Sequence, residues 1–294
     1  MARFSPTDAV FAGFRFARER PATLLVWAAF YLVVIAVALT AMADLGGGAL
    51  ASLGIAAQGT NPDPQQLVKL MDEAMPAVLF SGLLMVVFGA VLSTAILRVR
   101  MTPGPHPWGG LRLGGGELRL LGAKLMVIAT AFVVEILISM VAVALQGVGV
   151  PGVATLIVGM LVLMAPLMVR LSLAGVVSQA EGRMNPNRSF QLTRPLFWRL
   201  VGAYVLLGAI LLVILVLVTI IFTALTGAAT VGGGGNMDQM AMALLQGRVT
   251  DLNPLAITIY AIGSLVRVWV AVLATVVFLS VAVDAYDAAL REQK

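Results

Sequence analysis

The chain has 294 residues, of which 60% are hydrophobic and only 11% charged, with no cysteine and a formal net charge of +5. A soluble domain carries about a quarter of its residues as charged groups, so a water-soluble globule is excluded. A disordered chain and a disulfide scaffold are excluded by the same counts. With a mean hydropathy of +1.00, the composition is that of a polytopic membrane protein. In hydrocarbon a single chain segment satisfies its own backbone only as a helix, so the expected fold is all-α.

In chain order, Phe4-Ser5-Pro6-Thr7 places a serine cap before a proline at the first helical position. Val10, Phe11, Phe14 and Ala17 then alternate with Arg15, Arg18 and Arg20. This predicts an amphipathic helix over residues 1–20. Two placements suit it: on a leaflet whose anionic lipids attract the arginines, or packed on its own bundle.

A bilayer-spanning helix needs about 20 apolar residues at ~1.5 Å rise each. Six stretches qualify, near Ala22–Ala43, Pro76–Leu97, Leu120–Leu145, Val153–Val177, Trp198–Thr226 and Pro254–Val283. The last two exceed the minimum and predict tilt or a protruding end. Ala41-Met42-Ala43 resembles a signal-cleavage site, but the apolar run before it is longer than the 7–15 residues of a signal core, so it reads as a retained first span. The whole chain reads as one membrane domain.

Loop charge predicts the orientation, because positive residues concentrate on the cytoplasmic side. Lysine and arginine cluster before the first span, between the second and third (with Lys124 counted there), between the fourth and fifth, and at the C-terminus. Lys69 and Arg248 alone fall on the other side. Both termini are therefore expected in the cytoplasm. The positive charge is thus a topology signal, and no base-reading surface for nucleic acid is present.

Glu117-Leu118-Arg119-Leu120-Leu121-Gly122-Ala123 aligns with Phe197-Trp198-Arg199-Leu200-Val201-Gly202-Ala203, each opening a span. Together with Arg18-Glu19-Arg20 before the first span, this predicts three helical hairpins. In the outer connections, Gly46-Gly47-Gly48 and Gly232 to Gly235 read as linkers. Each precedes a short amphipathic helix, over Gln65 to Met75 and from Met237 to Leu245. Gly82, Gly89, Gly202, Gly208 and Gly263 are expected at close helix contacts, and Pro166 is expected to kink the fourth span.

The chemical inventory is thin. His106 is the single histidine, in the loop Pro103-Gly104-Pro105-His106-Pro107-Trp108. With no cysteine and no nearby carboxylate pair, no metal site is expected there. Neither Gly114-Gly115-Gly116 nor Gly232 to Gly235 follows a strand or ends in Gly-Lys-Ser/Thr, so no phosphate loop is present. A catalytic triad cannot be assembled, and neither an enzyme nor a cofactor is expected.

The intramembrane charges remain. Glu135 lies about 10 residues, ~15 Å, from the outer end of the third span, and Arg267 about 13 residues, ~20 Å, from that of the sixth. Their depths allow a pair, read either as a proton- or substrate-coupling site or as a lock on helix register. Arg170 lies nearer the cytoplasmic end of the fourth span, placed to snorkel or to meet Asp284.

Around that arginine the sequence reads Arg170-Leu171-Ser172-Leu173-Ala174, then Glu181-Gly182, then Arg188-Ser189-Phe190-Gln191-Leu192-Thr193-Arg194, then Phe197-Trp198-Arg199-Leu200. This resembles the membrane domain found beside glycerophosphoryl diester phosphodiesterases and in related stand-alone bacterial membrane proteins of unknown role. The group's markers fall here on Arg170, Glu181, Gly182, Ser189, Thr193, Trp198 and Arg199, with Tyr286, Asp287 and Arg291 at the C-terminus. The catalytic barrel of the two-domain members is absent, so phosphodiesterase activity does not carry over. The resemblance implies a six-helix domain of the bacterial inner membrane.

The function expected from these observations is a non-catalytic scaffold that binds lipid or a membrane or cytoplasmic protein partner. Arg15, Arg18 and Arg20 are its expected contacts to anionic lipid. The alternative is a transporter or lipid-handling protein with a cavity lined by Glu135, Arg170 and Arg267.

Overall fold

A computed structural model of the chain describes residues 4–58, 64–102, 104, 106–112, 114–146, 151–183, 185–229 and 254–293. The described elements are helices: α1 Pro6–Glu19, α2 Pro21–Gln58, α3 Pro64–Met101, a 3-10 turn Pro107–Gly110, α4 Gly115–Gln146, α5 Gly152–Gly159, a π segment Met160–Met164, α6 Ala165–Leu171, α7 Ala174–Glu181, α8 Pro186–Ala229 and α9 Pro254–Glu292. Six helical stretches are long and apolar enough to cross a membrane. The chain is an all-α polytopic membrane protein.

Two compact units share these helices. One comprises Met1–Thr23, Gly89–Ala209 and Thr275–Lys294, and the other Leu24–Phe88 and Ile210–Ala274. In the second unit, α2 and α3 touch through Phe30 and Phe88, whose ring centroids are 5.7 Å apart. Further along, a Cβ on Gly46 would fall 3.0 Å from the Ala77 Cβ. In the first unit, a Cβ on Gly159 of α5 would fall 2.5 Å from Ile138 of α4. There too Tyr204 of α8 stacks on Phe278 of α9 at 4.9 Å. The first and second, third and fourth, and fifth and sixth spans thus touch each other.

Helix α1 starts as its sequence dictates. Pro6 takes the first helical position and the Asp8 N–H donates to Ser5 Oγ at 3.4 Å. The buried face is Ala9, Val10, Gly13, Phe16 and Ala17, packed on α9, where a Cβ at Gly13 would meet the Val277 Cα at 2.9 Å. Phe11, expected on the apolar face, is instead 51% exposed, and Phe14 is half-buried. The reason is rotation about the helix axis: the small Gly13 lets α1 approach α9 on the Val10–Phe16 side.

Other expectations need correction. The predicted glycine linker at residues 46–48 is helical; α2 continues to Gln58 with a break in helical geometry only at Gly46. The predicted separate helix from Gln65 to Met75 is the beginning of α3, which runs through Pro76. Apolar patterning marks where hydrocarbon begins, not where a helix stops. The glycines at closest contacts among the described residues are Gly152, against the Gln146 side chain, then Gly159, Gly13, Gly46 and Gly175, whereas nothing lies within 4 Å of a Cβ at Gly82 or Gly208. Residues 232–235 and the predicted helix from Met237 to Leu245 lie outside the described residues.

Two substitutions test this packing. Gly13→Leu forces its side chain into the α9 backbone and is expected to cost about 1–3 kcal/mol, whereas Gly82→Ala should leave stability unchanged. Thermal unfolding of the detergent-solubilised protein reads both. Equal melting temperatures for the two variants would contradict the α1–α9 contact.

Candidate functional site

The fourth span carries the marked departure from regular helix. Pro166 lacks an N–H and its ring clashes with the carbonyl four residues earlier, and the chain relieves this with the π turn Met160–Met164 just ahead. A second interruption follows at Ser172 and Leu173, between α6 and α7. Ser172 donates its N–H to Val169 O at 3.3 Å and its hydroxyl to the same oxygen at 2.7 Å. From α8, Ser189 Oγ donates to the Arg170 carbonyl at 2.6 Å. The backbone oxygen at the break therefore has a partner, as a low-dielectric environment requires.

Some of the motif residues between Arg170 and Arg199 meet at this break, and others lie beyond it. The Arg170 guanidinium lies 5.4 Å from the Phe197 ring centroid, a cation–π contact, and Trp198 meets Phe197 edge-on at 5.2 Å. Gly182 ends α7 in the left-handed conformation, φ +67°, the usual role of glycine at that position. Arg188 bridges Glu181 at 3.3 Å and Gln293 at 3.0 Å. Thr193 donates back to Ser189 O at 2.8 Å. Tyr286 is buried and Asp287 exposed on α9.

All four basic clusters fall in the first unit, where several arginines are neutralised by named partners. Arg98 pairs with Glu117 at 2.5 Å, with both side chains nearly buried, and donates also to the Gly110 carbonyl. Arg100 pairs with Asp284 at 3.0 Å. Asp284 therefore meets Arg100 on α3 rather than Arg170, which is turned onto Phe197. Arg119 donates to Gly182 O at 3.0 Å and Arg199 lies 3.7 Å from Glu292, each placing a cation at a helix C-terminus, where the helix dipole favours it.

Seven arginines of this unit are exposed and make no ion pair among the described residues: Arg15, Arg18, Arg20, Arg112, Arg183, Arg194 and Arg291. Arg20 lies over one side of the Phe16 ring at 5.4 Å, and Arg100 over the same ring at 5.3 Å.

The intramembrane charges fall in both units. Glu135 and Arg170 belong to the first unit and Arg267 to the second. Glu135 is half-buried on α4 and has no ion pair among the described residues. Arg267 lines an apolar groove of about 890 Å³ between α2 and α9, with Tyr31, Thr40, Tyr260 and Ser264 as its other polar residues.

Lys124 was missed by sequence reasoning. Rather than serving as a loop cation, it donates to Gly89 O at 2.6 Å and Ser93 Oγ at 2.9 Å on α3. The available signal was its position, inside an apolar run opposite a Gly-x-x-x-Ser step.

No protein-family model, no curated protein and no solved structure matches the chain.

The Arg98–Glu117 pair and the Ser189 bond give measurable expectations. Arg98→Met strands the Glu117 carboxylate and should cost about 3–5 kcal/mol, most of it recovered by adding Glu117→Leu. Ser189→Ala should cost about 1 kcal/mol. Chemical unfolding in detergent measures all three, and a double variant no more stable than Arg98→Met would contradict the buried pair.

Proposed function

We propose that the chain is a non-catalytic module of the bacterial inner membrane that binds anionic lipid through the basic face of its first unit, with both termini in the cytoplasm. The observation that carries this reading is the set of exposed arginines that make no ion pair among the described residues, on the unit that also holds the paired ones. A phosphate-rich leaflet supplies the missing anions, at about 1 kcal/mol per arginine near the surface. Arg15 and Arg18 lie on α1 and Arg20 follows its last residue; the opposite face of α1 is fixed on α9, so the three are presented from a rigid element. The resemblance of the Arg170–Arg199 segment to stand-alone bacterial membrane domains supports the same reading, and a protein partner would dock on the same basic face.

A second reading, lipid handling within the membrane, is favoured by the groove lined by Arg267. A cation in a mostly apolar groove with a few hydroxyl groups suits an acidic amphiphile.

The first reading is tested by reconstituting the wild type and the Arg15→Gln, Arg18→Gln, Arg20→Gln triple variant in vesicles containing fluorescent anionic or zwitterionic lipid. Energy transfer from a label on α1 should show anionic enrichment around the wild type and a clear loss of it in the variant. Unchanged enrichment would remove the lipid role of α1.

A further inference from the structure

The turn between α3 and α4 is built to present one side chain. Trp108 has φ +55° and is the one non-glycine residue with positive φ among the described residues, a conformation that costs a bulky side chain energy and persists only where the surroundings enforce it.

The surroundings do enforce it. Gly109 and Gly110 continue at positive φ, +63° and +75°, and the Leu111 N–H closes the turn on Trp108 O at 3.3 Å. A Cβ at Gly110 would come within 3.2 Å of Val99 and 3.3 Å of the Ala95 carbonyl, so the turn sits directly on α3. Arg98 holds the Gly110 carbonyl with one arm and the buried Glu117 carboxylate with the other. Yet the indole so placed is 80% exposed.

We infer that this turn is an interfacial anchor, with the Trp108 indole seated at the headgroup–acyl boundary of the leaflet against which the basic face lies. Its level in the fold selects that occupant. Arg98 ends the apolar run of α3, and Arg119 precedes that of α4. The turn that joins them therefore lies where hydrocarbon gives way to headgroups. Indole, with an apolar body and one N–H donor, concentrates at that level. Arg112, exposed on the same connection, offers a cation to lipid phosphate. Trp198 repeats the arrangement at the start of the fifth span, 79% exposed between Arg194 and Arg199. The anchor rests on the reading that this face meets a leaflet, but it needs no anionic lipid.

The test compares the full-length wild type with Trp108→Phe, so that the difference in emission reports Trp108 alone while Trp27, Trp198 and Trp269 stay in place. Both proteins are reconstituted in phosphatidylcholine vesicles carrying bromines at a shallow or a deep acyl position, and acrylamide is added as a water-phase quencher. The expected result is loss of most of the difference emission with shallow bromines, less with deep ones and little with acrylamide. Quenching by acrylamide alone would overturn the anchor by placing Trp108 in water. Protection from all quenchers would overturn it by placing the indole against protein, a second copy included. Lipid quenching of Trp108 without arginine-dependent anionic enrichment would leave the anchor standing and defeat the proposed lipid selectivity, and the reverse pattern would do the opposite.

Discussion

A helix broken inside a bilayer must find partners for the backbone groups it releases, since no water is there to take them. The fourth span meets this demand twice. Ahead of Pro166 it widens into the π turn at Met160–Met164, and at Ser172–Leu173 the freed Arg170 carbonyl is taken by Ser189 from α8. The second solution brings the start of α8 to the break, and with it Phe197 under Arg170 and Trp198 against Phe197. A local backbone requirement thereby gathers side chains spread over thirty residues of sequence.

Charge is handled by the same rule at the ends of the spans. Carboxylates at helix ends take the nearest guanidinium: Glu117 with Arg98, Asp284 with Arg100, Glu181 with Arg188 and Glu292 with Arg199. Pairs like these contribute little where exposed and matter most where buried, so Arg98–Glu117 dominates. The exposed arginines beyond these four pairs have no carboxylate within ion-pair distance among the described residues. That deficit is the physical basis for proposing anionic lipid.

Features set by local chemistry were legible in the sequence. The Ser5–Pro6 helix start, the six spans and the disturbance at Pro166 each depend on a few adjacent residues. Features that depend on which helix lies alongside were not. Gly13 rather than Gly82 makes the close contact because α9 runs beside α1, and Asp284 meets Arg100 because Arg170 faces α8 instead. Lys124 read as a loop charge because its acceptors, Gly89 and Ser93, lie about thirty residues earlier on α3. Helix length also escaped, since α2 and α3 continue past the apolar stretches that predicted them. The motif from Arg170 to Arg199 was legible as a sequence, but that its ends meet at a broken span was not, because the Ser189–Arg170 and Arg170–Phe197 contacts depend on how α8 returns to the fourth span.

The central claim, a lipid-binding rather than catalytic membrane module, is tested most directly by extracting the tagged protein from bacterial membranes in native lipid particles and determining every retained lipid and protein by mass spectrometry. The account predicts anionic lipids enriched over the bulk membrane, the particle holding them through the first unit. A lipid composition identical to that of the bulk membrane would contradict it.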